Sequence, residues 1–154
     1  MNVAIIGSRS FGNLNHYFKM LSENIEVSNS FANSLALEQA EKDYTYFSAK
    51  LKGLDISHII SGGAQGADSC AERYAKENNL PITIYYACWE EYGKSAGYKR
   101  NIKIVDDAEL IVAFWDGVSK GTKHSIDYAN KEDKKVIIFQ DWSELYKSKA
   151  IEGI

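Results

Sequence analysis

Apolar positions in this chain fall into short runs, separated by longer stretches in which polar and apolar residues are mixed. The short runs have the length and the β-branched content of buried strands. They are Val3–Ile6, Ile56–Ile60, Ile82–Tyr86, Leu110–Phe114 and Lys134–Phe139. Strands that alternate with helices are typical of a parallel sheet covered by helices on both faces. The pattern therefore predicts an α/β fold, a three-layer sandwich around a central parallel sheet of about five strands.

The helical pattern is clearest between Leu35 and Leu51, where apolar side chains recur at helical spacing and share one face. Further helices are predicted around Ala67–Ala75, Ile102–Val105 and Ile126–Ala129, and a short one from Asp141 onward. The stretch from Asn13 to Ser34 is polar and weakly periodic, which predicts a loop with one helical piece around His16–Leu21.

Most of the eleven glycines lie in three segments, each of which follows a predicted strand. The first glycine loop is Gly7-Ser8-Arg9-Ser10-Phe11-Gly12, the second is Ser61-Gly62-Gly63-Ala64-Gln65-Gly66-Ala67-Asp68, and the third is Trp115-Asp116-Gly117-Val118-Ser119-Lys120-Gly121-Thr122. Glycine lets the backbone approach a ligand closely, and a helix start offers unpaired N–H groups and a partial positive charge. The loops therefore predict a site for an anionic ligand, and they favour a nucleotide.

The order of the strands decides whether these loops meet. In a Rossmann-like order of 3-2-1-4-5, the strands that precede the three glycine loops are neighbours in the sheet. Ligands of such sheets bind beyond the carboxyl ends of the strands, where the strand order reverses. We therefore expect the three loops to line one crevice, although they are far apart along the chain.

The second glycine loop carries the strongest signal. Backbone N–H groups of Gly62, Gly63 and Gly66 are predicted to hold phosphate, and Asp68 is predicted to bind sugar hydroxyls. The alternative is a tight turn from strand to helix, in which Asp68 interacts electrostatically with the helix start.

The third glycine loop is the next candidate. Thr122 can cap a helix whose N–H groups face an anion, and Ser119 can donate a hydroxyl next to the backbone of Gly121. The end of the strand adds the candidates Trp115, Asp116 and Gly117, of which Asp116, like Asp68, is predicted to bind sugar hydroxyls. The alternative is an ordinary helix cap. Neither a Walker A sequence nor G-x-G-x-x-G is present, so a conventional ATP or NAD motif is missing and no cofactor is predicted.

Arginine is scarce, since Arg9, Arg73 and Arg100 are the only arginines among 18 basic residues. Arg9 lies in the first glycine loop beside Gly7 and Ser8, and all three are predicted to contact the ligand. Because a guanidinium offers planar, forked donors, Arg9 or Arg100 is expected to neutralise the charge of the bound anion.

Two further groups of residues are weaker candidates. The aromatic segment from Trp89 to Asn101 can stack a base and pair a phosphate, or it is a packed connection with a surface arginine, and both interpretations stay open. His16, His58 and His124 form no metal-ligand set, so no metal site is predicted, and His124 alone is expected near the site.

Composition narrows the functional classes. The formal net charge of −3 and the pI of about 5.6 argue against nucleic acid as a partner. No apolar run is long enough to span a membrane, and no basic, apolar signal peptide opens the chain, so a cytoplasmic location is expected. Cys70 and Cys88 lack metal-ligand spacing and are predicted to be reduced core residues.

As a set, these residues resemble the SLOG superfamily, and among its members the small bacterial and phage proteins of the YspA type. The matching pieces are Gly7–Phe11, Ser61–Asp68, Glu72–Ala75, Trp89, Tyr92–Lys94, Ala96–Gly97, Arg100–Asn101, Ala113–Gly117 and Ser119–His124. The resemblance implies one Rossmann-like domain over residues 1–154 that binds a nucleotide-derived ligand, such as an ADP-ribose-like compound or a nucleoside monophosphate, as a sensor or sequestering domain. Residues 13–54 would be an extended insertion, and a homodimer is expected.

Two related families define the alternatives. The cytokinin-activating phosphoribohydrolases hydrolyse the N-glycosidic bond of a nucleoside monophosphate, and their Gly-Thr pair is followed by a catalytic Glu. Here Gly121-Thr122 is followed at that place by Ser125, whereas Arg100 matches their catalytic Arg. A serine hydroxyl replaces a carboxylate poorly in acid–base chemistry, so binding without turnover is favoured and hydrolysis is the alternative. DNA-processing protein A, which binds single-stranded DNA, has a similar second loop, but the acidic charge balance disfavours that role.

Overall fold

The computed structural model describes residues 1–24, 28–140 and 142. Its elements in chain order are β1 (Asn2–Gly7), α1 (Leu14–Asn24), α2 (Asn29–Leu51), β2 (His58–Ser61), α3 (Ala67–Glu77), β3 (Ile82–Ile84), α4 (Trp89–Tyr92), a 3₁₀ turn (Gly93–Ser95), α5 (Ala96–Asp107), β4 (Leu110–Phe114), α6 (Lys120–Lys131) and β5 (Lys135–Phe139). The short helix predicted from Asp141 onward lies outside the described residues, apart from Trp142, which packs on Phe11 in the core.

The five strands form one parallel sheet in the order β3-β2-β1-β4-β5. β1 is the central strand, and its Val3 is paired with Ile59 of β2 on one side and with Leu110 of β4 on the other. This confirms the predicted α/β fold and the predicted strand order. The carboxyl ends of β2, β1 and β4 therefore lie side by side, and the polypeptide reverses its direction of winding at β1.

Side-chain alternation along the central strands divides the core into two layers. Val3 and Ile5 of β1 belong to the apolar cluster under α2 and α3, which includes Phe47. Ala4 and Ile6 point to the opposite face and belong to the cluster under α5 and α6. Because successive strand residues face opposite sides, the continuously apolar run of β1 is buried on both faces, as in other parallel sheets.

The segment between β1 and β2 differs from its prediction. Asn13–Ser34 was expected to be a loop with a short helical piece, but α1 extends from Leu14 to Asn24 and α2 begins at Asn29, well before Leu35. The hydroxyl of Ser28 accepts a hydrogen bond from the N–H of Phe31 and so caps α2. The apolar signal was weak because the buried face here consists of alanines, Ala32 and Ala36 among them, which pack against α1.

Smaller differences concern strand ends and one cysteine. β2 begins at His58 rather than Ile56, and β3 ends at Ile84 rather than Tyr86. Cys70 is buried as predicted, but Cys88 is exposed, since it lies at the start of the short, solvent-facing α4. Within the described residues, no helix combines the length and the apolar character needed to cross a membrane.

Candidate ligand site

A cleft of about 540 Å³ opens at the carboxyl ends of β1, β2 and β4. Its wall includes residues of all three glycine loops, as predicted from the strand order. The predicted residues that line it are Gly7, Ser8, Arg9, Gly62, Asp68, Arg100, Asp116, Ser119, Gly121 and Thr122. Gly63, Gly66, Trp115 and Gly117 were also predicted, but they are not among the described residues of the wall.

Sequence reasoning missed part of the wall. The additional lining residues are Ile6, Ser10, His16, Ala64, Ile104, Lys120 and Ser125. Asn101, a member of the weaker aromatic candidate group, also lines the cleft. The expectation that His124 alone among the histidines lies near the site is wrong, because His16 lines the cleft and the His124 ring packs on Tyr98 instead. His16 carried no sequence signal, since an exposed polar residue on a helix is the ordinary case.

Ser8 joins the three loops to one another. Its residue is 1% exposed, and its backbone N–H donates to the carbonyl of Phe114 over 2.9 Å. Its carbonyl accepts from the N–H of Ala67, at the start of α3, and its hydroxyl accepts from the N–H of Asp116 over 2.9 Å. One buried residue of the first loop thus fixes the second and third loops in register with β1.

Two glycines of the second loop, Gly63 and Gly66, are required because neighbouring protein atoms leave no room for a side chain. A Cβ on Gly66, which has φ of +77°, would lie 2.4 Å from the carbonyl oxygen of Ser8. A Cβ on Gly63, which also has a positive φ, would lie 2.7 Å from the ring of Tyr86. These two positions therefore match the tight-turn alternative, since the space beside them is filled by the protein itself.

Asp68 and Arg100 form the part of the wall next to the second loop. The N–H of Ala64 donates to Asp68 over 3.0 Å, and Arg100 donates through Nη1 to the carbonyl of Gly62 over 2.6 Å. Burial raises the pKa of Asp68, although the Ala64 hydrogen bond and the charge of Arg100 act in the opposite direction. Burial also lowers the pKa of Arg100, which stays charged because a guanidinium does not deprotonate in proteins.

The carboxylate of Asp116 accepts hydrogen bonds from residues of its own loop. One carboxylate oxygen accepts from the backbone N–H groups of Val118 and Ser119, and the other accepts from the Ser119 hydroxyl over 2.8 Å. Partial burial alone would raise its pKa, but these hydrogen bonds, together with the Ser8 hydroxyl, outweigh burial and lower the pKa. Asp116 is therefore an ionised acceptor that shapes the start of α6.

The amino end of α6 is open to the cleft. The Ser119 side chain makes no capping hydrogen bond to the helix, and its first turn contains no acidic residue. A Cβ on Gly121 would meet no atom within 4 Å. Thr122 is 7% exposed, and its hydroxyl makes no hydrogen bond to any described residue. The helix thus directs unpaired donors and its positive end into the cleft.

Comparison with known proteins identifies one relative in a phage. The chain is 39% identical over 89 residues to the Gene 61 protein of Mycobacterium phage D29, and the match spans 54% of this chain and 71% of the phage protein. The chain belongs to the family of this Gene 61 protein. No family model matches the chain, and no solved structure matches it. The name of the phage protein describes no activity.

In this member of the Gene 61 family, the position at which the sequence resemblance places the catalytic Glu of the phosphoribohydrolases is Ser125. Ser125 lines the cleft, is 2% exposed, and donates its hydroxyl to the carbonyl of Gly121 over 3.3 Å. The carboxylates in the described wall are instead Asp68 and Asp116. The described residues contain no group of three or more His, Cys, Asp and Glu side chains that could hold a metal ion.

Proposed function

We propose that this protein binds a nucleotide-derived small molecule, an ADP-ribose-like compound or a nucleoside monophosphate, as a sensor or sequestering domain. The observation that carries the proposal is the open amino end of α6, which faces a cleft at the carboxyl ends of three neighbouring strands. This is the position at which open α/β sheets bind ligands, and a helix start of this kind suits a phosphate group. The resemblance to the SLOG superfamily supports the same ligand class.

The phosphate would bind at the first turn of α6. The unpaired N–H groups of Gly121 and Thr122 and the Thr122 hydroxyl are donors of the kind that phosphate oxygens accept. Arg9 and Lys120 line the same cleft and are exposed, so both can reach a bound anion. Arg100 is less available, because its Nη1 and Nε already donate to the carbonyl of Gly62 and to Asn101.

The sugar would bind near Asp68. This residue is 8% exposed and lines the cleft, and Ala64 donates to one of its carboxylate oxygens. The other oxygen can accept hydrogen bonds from ribose hydroxyls, as the sequence predicts. Asp116 was predicted for the same role, but its oxygens already accept from Val118 and Ser119, so we assign it to shaping the loop. The cleft volume of about 540 Å³ lies in the usual range for small-molecule sites, about 300–1,000 Å³.

Hydrolysis of an N-glycosidic bond is the second candidate. It is favoured by one observation, the presence of Asp68 and Arg100 in the same wall. A carboxyl whose pKa is raised by burial can act as a general acid. Ser125 at the place of the catalytic Glu disfavours it, so we rank binding without turnover first.

The decisive experiment combines native mass spectrometry with calorimetric titration. Native mass spectrometry of the freshly purified protein reports any bound metabolite by its mass. Titration with AMP and with ADP-ribose then compares the unaltered protein with Gly121→Leu, whose side chain would fill the open space at α6. Gly53→Leu is the matched control, because a Cβ on Gly53 also meets no atom within 4 Å and Gly53 is not part of the described wall.

We expect Gly121→Leu to weaken binding more than about tenfold, because a side chain would block the backbone donors. Gly53→Leu should bind like the unaltered protein. A protein that carries no metabolite and binds neither nucleotide would contradict the proposed function. Normal binding by a folded Gly121→Leu protein would contradict the assignment of the phosphate to α6.

We also propose that the protein is a cytoplasmic homodimer. The support for a homodimer is the exposure of two large apolar side chains on α2, Phe31 at 52% and Leu37 at 51%. Light scattering at micromolar concentration should give the mass of two chains. A monomer mass would contradict the homodimer.

A further inference from the structure

The α1–α2 hairpin is joined to the first glycine loop through one buried carboxylate. Asp43 of α2 is 3% exposed. One of its oxygens accepts from the N–H of Gly12 over 2.9 Å and from the hydroxyl of Tyr17. The other accepts from Gln39 over 3.1 Å. Asp43 thus connects both helices of the hairpin to the end of the loop that carries Arg9.

The loop cannot shift easily at this joint. Gly12 has φ of +64°, and a Cβ there would lie 2.7 Å from the sulfur of Cys70 on α3. Next to it, the side-chain amide of Asn13 donates to the carbonyl of Arg9 over 2.8 Å and to Gln65 of the second loop over 3.2 Å. The start of α1 is therefore fixed to two of the three glycine loops.

His16 is the residue that the hairpin contributes to the cleft. It lies in the first turn of α1, its side chain is exposed, and it lines the cleft. Its N–H donates to the Asn13 side chain over 3.2 Å, and its ring lies 5.5 Å from the ring of Tyr17, centroid to centroid. Since Tyr17 donates to Asp43, the position of the imidazole depends on the same buried carboxylate.

We propose that His16 is a ligand-binding residue of the cleft and that Asp43 is the positioning residue that holds His16 and the first glycine loop in place for it. This inference rests on the proposed function, because it needs an anionic ligand in the cleft. It gives a role to the α1–α2 hairpin, and it makes the imidazolium form of His16 a donor to the bound phosphate. The other charged residues that face the cleft are Arg9, Arg100, Lys120, Asp68 and Asp116.

The test for His16 is the pH dependence of ADP-ribose binding. Each phosphorus of ADP-ribose carries one ester bond and one anhydride bond and has a single, strongly acidic ionisable oxygen. The charge of the probe therefore stays constant over the range in which imidazole titrates. We expect the Kd to fall as the pH falls through that range, and His16→Gln to remove most of this dependence and weaken binding about three- to tenfold at the acidic end. Lys19→Gln is the control, since Lys19 is an exposed cation on the same helix outside the described wall.

Asp43 is tested with two substitutions of different chemistry. Asp43→Asn keeps an oxygen for Gly12 and Tyr17, and Gln39 can rotate its amide to match, so this variant should bind with the unaltered pH profile. Asp43→Leu removes the acceptors, and it should lose the pH dependence and bind at least about tenfold more weakly. If Asp43→Leu does not fold, Tyr17→Phe takes its place and should flatten the pH profile while Lys19→Gln does not.

The outcomes separate this inference from the proposed function. If the unaltered protein binds ADP-ribose and His16→Gln shows the same Kd and pH profile, the inference is wrong and the proposed function stands. A folded Asp43→Leu protein with the unaltered profile would remove the positioning role of Asp43. If neither ADP-ribose nor AMP binds the unaltered protein, the proposed function fails and the inference fails with it.

Discussion

The second and third glycine loops look alike in sequence but differ in what fills the space beside their glycines. At Gly66, a Cβ would collide with the backbone of Ser8 and Arg9, whereas at Gly121 it would meet nothing within 4 Å. The helix after the second loop has an acid, Asp68, in its first turn, while the helix after the third loop has none. At Gly66 the second loop is packed against other protein segments, whereas at Gly121 the third loop is open to the cleft.

The two loops also differ in how each places its aspartate relative to the helix that follows. Asp68 lies at the positive end of α3, so the protein supplies the negative charge there itself. Asp116 directs its oxygens toward its own loop, and the first turn of α6 contains no acidic residue. On the proposed function, the helix start that suits an anion is therefore that of α6, which carries no acid in its first turn.

The largest expected effect is on stability, at the two contrasting glycines. Gly66→Ala should lower the free energy of unfolding by about 2–4 kcal/mol, because it combines a strained φ with a backbone collision. Gly121→Ala should leave it unchanged or raise it by up to about 1 kcal/mol, since alanine is the better helix former. Urea unfolding measures both, with Gly53→Ala as control. Equal losses at the two positions would break the comparison.

A second contrast concerns one cation from each region. Arg100→Gln should lower the free energy of unfolding by about 1–3 kcal/mol, because it removes charged hydrogen bonds from α5 to the carbonyls of Gly62 in the second loop and of Tyr85 after β3. Lys120→Gln should change it by less than about 0.5 kcal/mol and weaken nucleotide binding about two- to fivefold. The assignment would be reversed if Lys120→Gln proved destabilising and Arg100→Gln affected binding alone.

The two aspartates should respond to pH in opposite directions. The folded-state pKa of Asp68 is raised, so its contribution to stability is full below the ordinary aspartate pKa and falls as pH rises through the folded value. The pKa of Asp116 is lowered, so its contribution is present above the ordinary value and is lost as pH falls through the folded value. Relative to the unaltered protein, Asp68→Asn should therefore gain stability as pH rises, and Asp116→Asn should lose it. Unfolding curves recorded over a pH series measure how the unfolding free energy of each variant changes with pH. Equal slopes for Asp68→Asn and Asp116→Asn would show that the two carboxylates have similar environments.

The smallest expected effect is at Ser125, beside the open helix. The unaltered protein should release no adenine from AMP over many minutes, because general acid–base help worth roughly 10²–10⁴-fold is missing at this position. Chromatography for the free base measures this. Repeated turnover would make hydrolysis the primary function. Release of adenine by Ser125→Glu, from a protein that is otherwise silent, would attribute the silence to the missing carboxylate.

The sheet and the meeting of the three loops were predictable because buried parallel strands leave continuous apolar runs. A short, wholly apolar run such as Leu110–Phe114 fits few structures other than a buried strand. The order of the strands then determines which loops become neighbours. The full extent of α1 and α2 was not predictable from periodicity. The buried face around Ala32 and Ala36 consists of small alanine side chains, which give only a weak apolar signal.

The roles within the site were harder to predict than its position. The sequence predicts Gly66 and Gly121 alike as ligand-binding glycines. The surrounding atoms distinguish them, because protein backbone fills the space beside Gly66 and the space beside Gly121 is empty. The contribution of His16 depends on the direction in which α1 leaves the first loop. That direction is set by Asp43 and Asn13 through hydrogen bonds that no local pattern reveals.

The buried Ser8 also has a consequence for how the chain folds. Its hydrogen bond to Asp116 spans 108 residues of sequence, so a long loop has to close before that contact forms. Contacts of such high sequence separation slow folding, and they form only when most of the chain is already in place. Competence to hold a ligand should therefore be acquired late in folding, after the strands have paired, and a nascent chain that ends before α6 should have none.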